Sequence, residues 1–141
     1  MALYFSYGMN TNRAGMAYRC PNAISLGHAR LLDHTFRFSG PADVVVATGS
    51  YVDGVLWDIT PKCLMALDIL EGYPSYYNRA PLQVELDGEI VNAITYFMTP
   101  GNEDSLPSQS YFDMVFEGYT QHGVPIDQLY NALVLPADVA Q

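Results

Sequence analysis

Residues 51–72 read YVDGVLWDITPKCLMALDILEG, and this stretch decides the fold class. Residues 51–59 gather Val52, Val55, Leu56, Trp57 and Ile59, β-branched and aromatic types that suit a pleated, half-buried strand. Gly54 interrupts them as a bulge or a point of close backbone approach. Thr60-Pro61 then starts a helix: the threonine hydroxyl can cap the first free N–H groups, and proline fits the first helical position. The helix runs through KCLMALDIL, with Leu64, Leu67 and Ile69 or Leu70 as its apolar stripe, and stops at Glu71-Gly72. A strand passing directly into a capped helix predicts a mixed fold.

The pattern continues outward on both sides. Residues 2–7 (ALYFSY) form an apolar strand ending at Gly8, a turn that exposes backbone N–H groups. Residues 12–20 suit a short helix stopped by Pro21. Residues 24–38 hold one long strand or two broken ones, and Val44, Val45 and Val46 mark another over 43–48. After the tyrosine-rich loop GYPSYYN, Leu82, Val84 and Leu86 alternate with polar residues, Asp87-Gly88 makes a tight turn, and residues 89–98 return as the second arm of a hairpin. Tyr111, Met114, Val115, Gly118, Tyr119 and His122 follow helical spacing from Ser108, and a last short helix covers 126–133. The expected class is α+β: a strand-rich mixed domain with helices on the outside. It is one domain over residues 1–135, with 136–141 as a surface tail.

Composition narrows the function. The 141 residues carry a formal net charge of -9, and the basic residues are scattered, so a nucleic-acid or anionic-membrane surface is not expected. The start MALYFSYGMN lacks the charged and apolar regions of a signal peptide, and no apolar run approaches roughly eighteen residues. A cytoplasmic protein is expected. Cys20 and Cys63 are therefore read as two buried free thiols rather than a disulfide.

Known chemical motifs are few. There is no CxxC, HExxH, GxSxG, Rossmann or P-loop pattern, and His28, His34 and His122 stand alone. No metal is expected. Among the carboxylates, Glu85 and Glu89 flank the hairpin turn, Glu103 lies in a polar loop, and Glu117 falls on an outer helix face. Glu71 differs. It follows Ile69-Leu70, ends a helix and faces an aromatic loop. The negative end of the helix dipole and apolar surroundings both raise a carboxyl's pKa toward the range useful for moving protons. On residues alone, Glu71 is either such a group or a partly exposed helix-end glutamate.

Several segments together resemble one family. Tyr4-Phe5-Ser6-Tyr7-Gly8-Met9-Asn10 resembles the YFAYGSN signature of the γ-glutamylcyclotransferase-like (AIG2-like) family. Leu67-Asp68-Ile69-Leu70-Glu71-Gly72, followed by Tyr77 and Arg79, is similar to its LDxxEG…YxR stretch. Ala93-Ile94-Thr95-Tyr96 and Pro107-Ser108-Gln109-Ser110-Tyr111 resemble its second-hairpin tyrosine and its PSxxY motif. Arg19-Cys20-Pro21 and Gly54-Val55-Leu56-Trp57 also fit. The motifs occur in the family's order over about residues 3–123.

The resemblance implies a small twisted mixed sheet forming a barrel-like core with peripheral helices. It implies a γ-glutamyl cyclotransferase that needs no cofactor and acts on a small-molecule γ-glutamyl amino acid or amine. The substrate's α-amine attacks its own γ-carbonyl, giving 5-oxoproline and a free amine. Glu71 is then the catalytic proton carrier, and Tyr7, Gly8, Met9, Asn10, Tyr77, Tyr96 and Tyr111 form the substrate site. Met9 stands where the family usually has serine. Two alternatives share the fold: an enzyme that removes a γ-glutamyl protecting group in a biosynthetic pathway, and a non-catalytic binding or interaction protein.

Overall fold

A computed structural model describes residues 2–134. Its core is a closed barrel of five strands: β1 (Ala2–Ser6), β2 (Ile24–Phe38), β3 (Ala42–Ile59), β4 (Tyr77–Leu86) and β5 (Glu89–Met98), in the spatial order β1-β3-β2-β4-β5. All neighbours are antiparallel except β1 and β5, which close the barrel in parallel at Tyr4 and Ile94. Around it lie α1 (Arg13–Arg19), α2 (Pro61–Glu71), α3 (Gln109–Gln121) and α4 (Asp127–Asn131). Phe5, Leu31, Val52, Leu56 and Val84 are fully buried at its centre. The mixed class with outside helices is as expected. The expected tail at 136–141 lies outside the described residues.

The turn and cap residues do what their chemistry dictates. The Thr60 hydroxyl accepts from the Cys63 N–H at 3.1 Å. Gly72 ends α2 in the left-handed conformation, with φ 65°. Asp87 and Gly88 both take positive φ in the β4–β5 turn, the backbone a two-residue hairpin needs. Gly54 is a close approach rather than a bulge: an added Cβ would collide with the Ser6 carbonyl and the Phe5 ring.

Three expectations are corrected. Strands 43–48 and 51–59 are one strand, β3, whose pairing is interrupted between Val46 and Tyr51, opposite a register shift in β2 between Leu32 and His34. The Asp33 carboxylate accepts from the Gly49 N–H at 3.0 Å, so the chain kinks there without ending its strand. Secondly, the buried stripe of α2 is Cys63 and Leu67, while Ile69 is 82% exposed. Thirdly, Cys20 and Cys63 form a disulfide, with Cα atoms 5.0 Å apart. Their sequence separation of 43 hid the proximity. Cys20 caps the end of α1 and Cys63 lies in the first turn of α2, so packing those two ends together brings the sulfurs into contact. The bridge removes the free-thiol part of the case for a reducing compartment.

The segment after β1 is held by α3. Asn12 caps α1 by accepting from the Ala14 and Gly15 N–H groups, and its Nδ2 donates to the Met114 carbonyl at 3.1 Å. Gly118 lets α3 lie directly on Thr11 and Asn12, where an added Cβ would collide with both. The buried Tyr119 hydroxyl donates to the Tyr7 carbonyl at 2.6 Å. The turn at residues 8–11 is thus fixed from beneath.

Candidate active site

Cys63, Leu67 and Glu71 follow one another at four-residue spacing, so they share one face of α2. The first two are buried under the helix. Glu71, last in the row, is carried to the mouth of the barrel, where it lines a cavity of about 280 Å³. Across from it is the turn at the end of β1. Gly8 precedes a short 3-10 turn, Met9–Thr11. The first N–H groups of such a turn have no acceptor inside it, so the Met9 N–H turns to the Tyr111 oxygen and the Asn10 N–H is left free to donate.

All eight residues expected at the site line this one cavity: Tyr7, Gly8, Met9, Asn10, Glu71, Tyr77, Tyr96 and Tyr111. Tyr4, Tyr76 and the Pro41–Ala42 turn line it too and were not anticipated. Tyr4 lies within the first motif itself, which is a usable signal. Pro41 and Ala42 come from the β2–β3 turn and carried none.

The tyrosines are held by the backbone around them. The Ala42 carbonyl accepts from the Tyr77 hydroxyl at 2.7 Å, and the Ala42 N–H donates to the Tyr111 oxygen at 3.0 Å. A Cβ added at Gly8 would stand 2.8 Å from that same Tyr111 oxygen, so glycine is what lets the phenol cover the turn. The Tyr7 hydroxyl donates to the Tyr96 carbonyl at 2.6 Å, and the Tyr96 hydroxyl to Asp68 at 2.6 Å. Burial pushes the Tyr111 phenol up to about 12, against the opposing pull of the Ala42 and Met9 N–H groups. It raises Tyr4, Tyr7, Tyr77 and Tyr96 further. These phenols stay neutral at any ordinary pH.

Tyr111 therefore carries structure as well as lining the cavity. In Tyr111→Phe the buried Ala42 N–H loses its acceptor, and a stranded donor costs about 1–3 kcal/mol. A lower melting temperature is expected by calorimetry, with the strand content unchanged in circular dichroism. An unchanged melting temperature would mean that water replaces the phenol there.

Glu71 is half-buried where it lines the cavity. Desolvation raises its pKa to about 7, with the charge of Arg19 pulling the other way. Arg19 comes from α1; its Nη2 lies 3.9 Å from the Met9 sulfur, and its Nη1 is buried without a partner. Asn10 is 3% exposed, and its amide bonds the Tyr4 hydroxyl at 3.0 Å through one end only, which leaves Oδ1 unpartnered. A buried amide end without a partner is a standing place for a ligand group. No cluster of three or more His, Cys, Asp or Glu side chains suited to a metal ion occurs among the described residues. No helix among them is long and apolar enough to cross a membrane.

Known proteins share this fold. Compared by sequence, no curated protein matches significantly. Among solved structures, a gamma-glutamyl cyclotransferase superposes with a TM-score of 0.84 at 26% identity, over 95% of this chain and 87% of that one. The uncharacterized Homo sapiens protein loc79017 gives the same values. Bacillus subtilis YkqA, at 24% identity, shares the fold, with a TM-score of 0.80 over 96% of this chain and 55% of its own. The model of the family described as gamma-glutamyl cyclotransferase, AIG2-like, matches residues 4–113, from the first residue of the turn motif to the first turns of α3. The chain belongs to that family.

Proposed function

We propose that this protein is a γ-glutamyl cyclotransferase that converts γ-glutamyl amino acids or γ-glutamyl amines to 5-oxoproline and a free amine. The observation that carries the reading is Glu71: a carboxyl with a pKa of about 7 in a cavity, facing a turn with a free N–H group at Asn10. A cavity of about 280 Å³ is at the small end of ligand sites, which span roughly 300–1,000 Å³. That size suits an amino-acid-like group.

The reaction needs few parts. The α-nitrogen forms a bond to the γ-carbon, and the γ-carbon–nitrogen amide bond breaks. Two protons leave the α-nitrogen and two arrive on the departing nitrogen. Glu71, close to half ionised at neutral pH, takes a proton from the first and delivers it to the second. Holding the chain folded for ring closure supplies the larger share, since oriented intramolecular attack is worth about 7–11 kcal/mol. The Asn10 N–H meets the developing oxyanion or the substrate carboxylate, while the Met9 N–H holds the Tyr111 oxygen over the turn. The free end of the Asn10 amide and the lone pairs of the tyrosines receive polar groups of the substrate. Methionine at position 9 is compatible with this scheme, because its backbone N–H serves to hold the Tyr111 oxygen and its sulfur rests near Arg19.

Incubation of the protein with a panel of γ-glutamyl amino acids and amines tests the reading, with 5-oxoproline and released amine measured by mass spectrometry. Equimolar 5-oxoproline and amine from at least one compound is expected. Release of glutamate instead would make the protein a hydrolase. Binding without turnover across the panel would make it a non-catalytic member of the family.

A further inference from the structure

One cluster beside the cavity has no part in the proton transfers. Arg79 on β4 and Tyr96 on β5 face each other across the hairpin, and both reach the Asp68 carboxylate on α2. Oδ1 accepts from Arg79 Nε at 2.8 Å and from the Tyr96 hydroxyl at 2.6 Å, and Oδ2 accepts from Arg79 Nη2 at 3.3 Å. The Asp68 carbonyl accepts from the Tyr73 N–H at 3.0 Å, and the Arg79 guanidinium lies 4.4 Å from the centre of the Tyr73 ring. Helix, following loop and both hairpin strands therefore meet at Asp68. Glu71 is one helical turn further on.

That turn has little else to hold it. Met65 and Ile69 on its outer face are 67% and 82% exposed. Residues 72–76 beyond it are all exposed. At the far end of α2 the disulfide ties Cys63 to α1. At the near end, burial of Leu67 sets which face of α2 turns inward, but the last turn, residues 68–71, contains no fully buried residue. A bidentate carboxylate–guanidinium pair is directional and clamps that turn.

We propose that Asp68 and Arg79 are positioning residues for Glu71: by pinning the last turn of α2 to the β4–β5 hairpin, they hold the Glu71 carboxyl in the cavity. The proposal rests on Glu71 as the proton carrier. Neither residue touches the reacting atoms. A small displacement of a catalytic group is enough to lose about 10²-fold in rate.

The test is the double variant Asp68→Asn/Arg79→Gln, which removes both charges together and leaves the local net charge unchanged. The Glu71 carboxyl is titrated by carbon NMR in parent and variant. The charged or titratable groups bearing on it are Arg19 from α1, Tyr4 and Tyr7 from β1, Tyr77 from β4 and Tyr111 from α3. None of these is altered, so a change reports the carboxyl's exposure to water. The expected result is a pKa lower by a unit or more, moving from near 7 toward the ordinary glutamate range. Turnover at saturating substrate should fall roughly 10–100-fold with KM within about threefold. In a Glu71→Gln background the same pair of substitutions should cost no further turnover. An unchanged Glu71 pKa, or an equal loss in the Glu71→Gln background, overturns the proposal. Should the double variant not fold, Arg79→Lys keeps the charge but loses the second hydrogen bond, and an unchanged Glu71 pKa and turnover there overturns it equally. If the parent turns over no γ-glutamyl compound, the proposed function fails, and the titration still decides whether Asp68 and Arg79 place Glu71.

Discussion

Glu71→Gln should abolish most turnover while leaving the protein folded and, above neutral pH, more stable than the parent. The amide keeps the size of the carboxyl and its ability to hydrogen-bond, but it cannot take up and return a proton. A single acid–base group is commonly worth about 10²–10⁴-fold, and a loss of that order in kcat is expected with little change in substrate affinity. The stability effect has a definite sign. Burial favours the neutral carboxyl, so the folded-state pKa of about 7 lies above the ordinary value of 4.5. Below pH 4.5 the group is protonated in folded and unfolded chains alike and costs nothing. Between 4.5 and 7 the unfolded chain ionises first, and stability falls as pH rises. Above 7 the full cost applies, on the order of 3 kcal/mol at about 1.4 kcal/mol per pKa unit. The glutamine variant escapes this, so its melting temperature should exceed the parent's by a margin that grows from pH 5 to pH 8. The parent's kcat/KM should rise with pH through about 7, as the ionised base becomes available. Near-parental turnover would assign the proton transfers to another group. A variant that unfolds would make Glu71 a structural residue.

Much of this site was legible because it depends on local chemistry. Thr60-Pro61, Asp87-Gly88 and Glu71-Gly72 each force a backbone state from two residues, and all three occur where they were read. The direction in which Glu71 points was also written in the sequence, through Cys63 and Leu67 at four-residue spacing. Choosing Ile69 or Leu70 as the continuing stripe obscured it, since Ile69 faces solvent and Leu70 is 38% exposed. The apolar surroundings expected from those two residues come from Leu70, which lines the cavity, together with Tyr4, Tyr76 and Tyr77, and not from Ile69. Contacts set by register were not legible. Asp68, Arg79 and Tyr96 were visible as motif letters, but their convergence needs the β4–β5 pairing that places Arg79 opposite Tyr96. The same holds for Ala42, whose backbone holds Tyr77 and Tyr111 from the first position of β3. The Cys20–Cys63 bridge depends on the packing of two helix ends, which no local signal encodes.

That bridge carries the largest expected effect on stability. Cys20 and Cys63 are 43 residues apart in sequence, and closing a loop of that length in the unfolded chain is worth about 4 kcal/mol by chain entropy, within the 2–4 kcal/mol usually found. For a chain of this size, 1 kcal/mol moves the melting temperature by about 4 °C. Cys63→Ala should therefore melt roughly 8–16 °C below the parent. Reductant should lower the parent by a similar amount and leave the variant unmoved, which separates the bridge from the packing of the cysteine side chain. Both sulfurs are buried, at 2% and 4% exposure, so reduction should be slow in the native state and fast in mild denaturant. Activity should respond much less. Cys63 is at the first turn of α2 and Glu71 at the last, and Asp68 holds the end that bears Glu71. At 25 °C, well below its transition, Cys63→Ala should keep turnover within a few-fold of the parent. Two titratable thiols in the unreduced protein, with a melting temperature indifferent to reductant, would show that the cysteines are not bridged. A bridge present but turnover lost in Cys63→Ala would show that the placement of Glu71 depends on both ends of the helix.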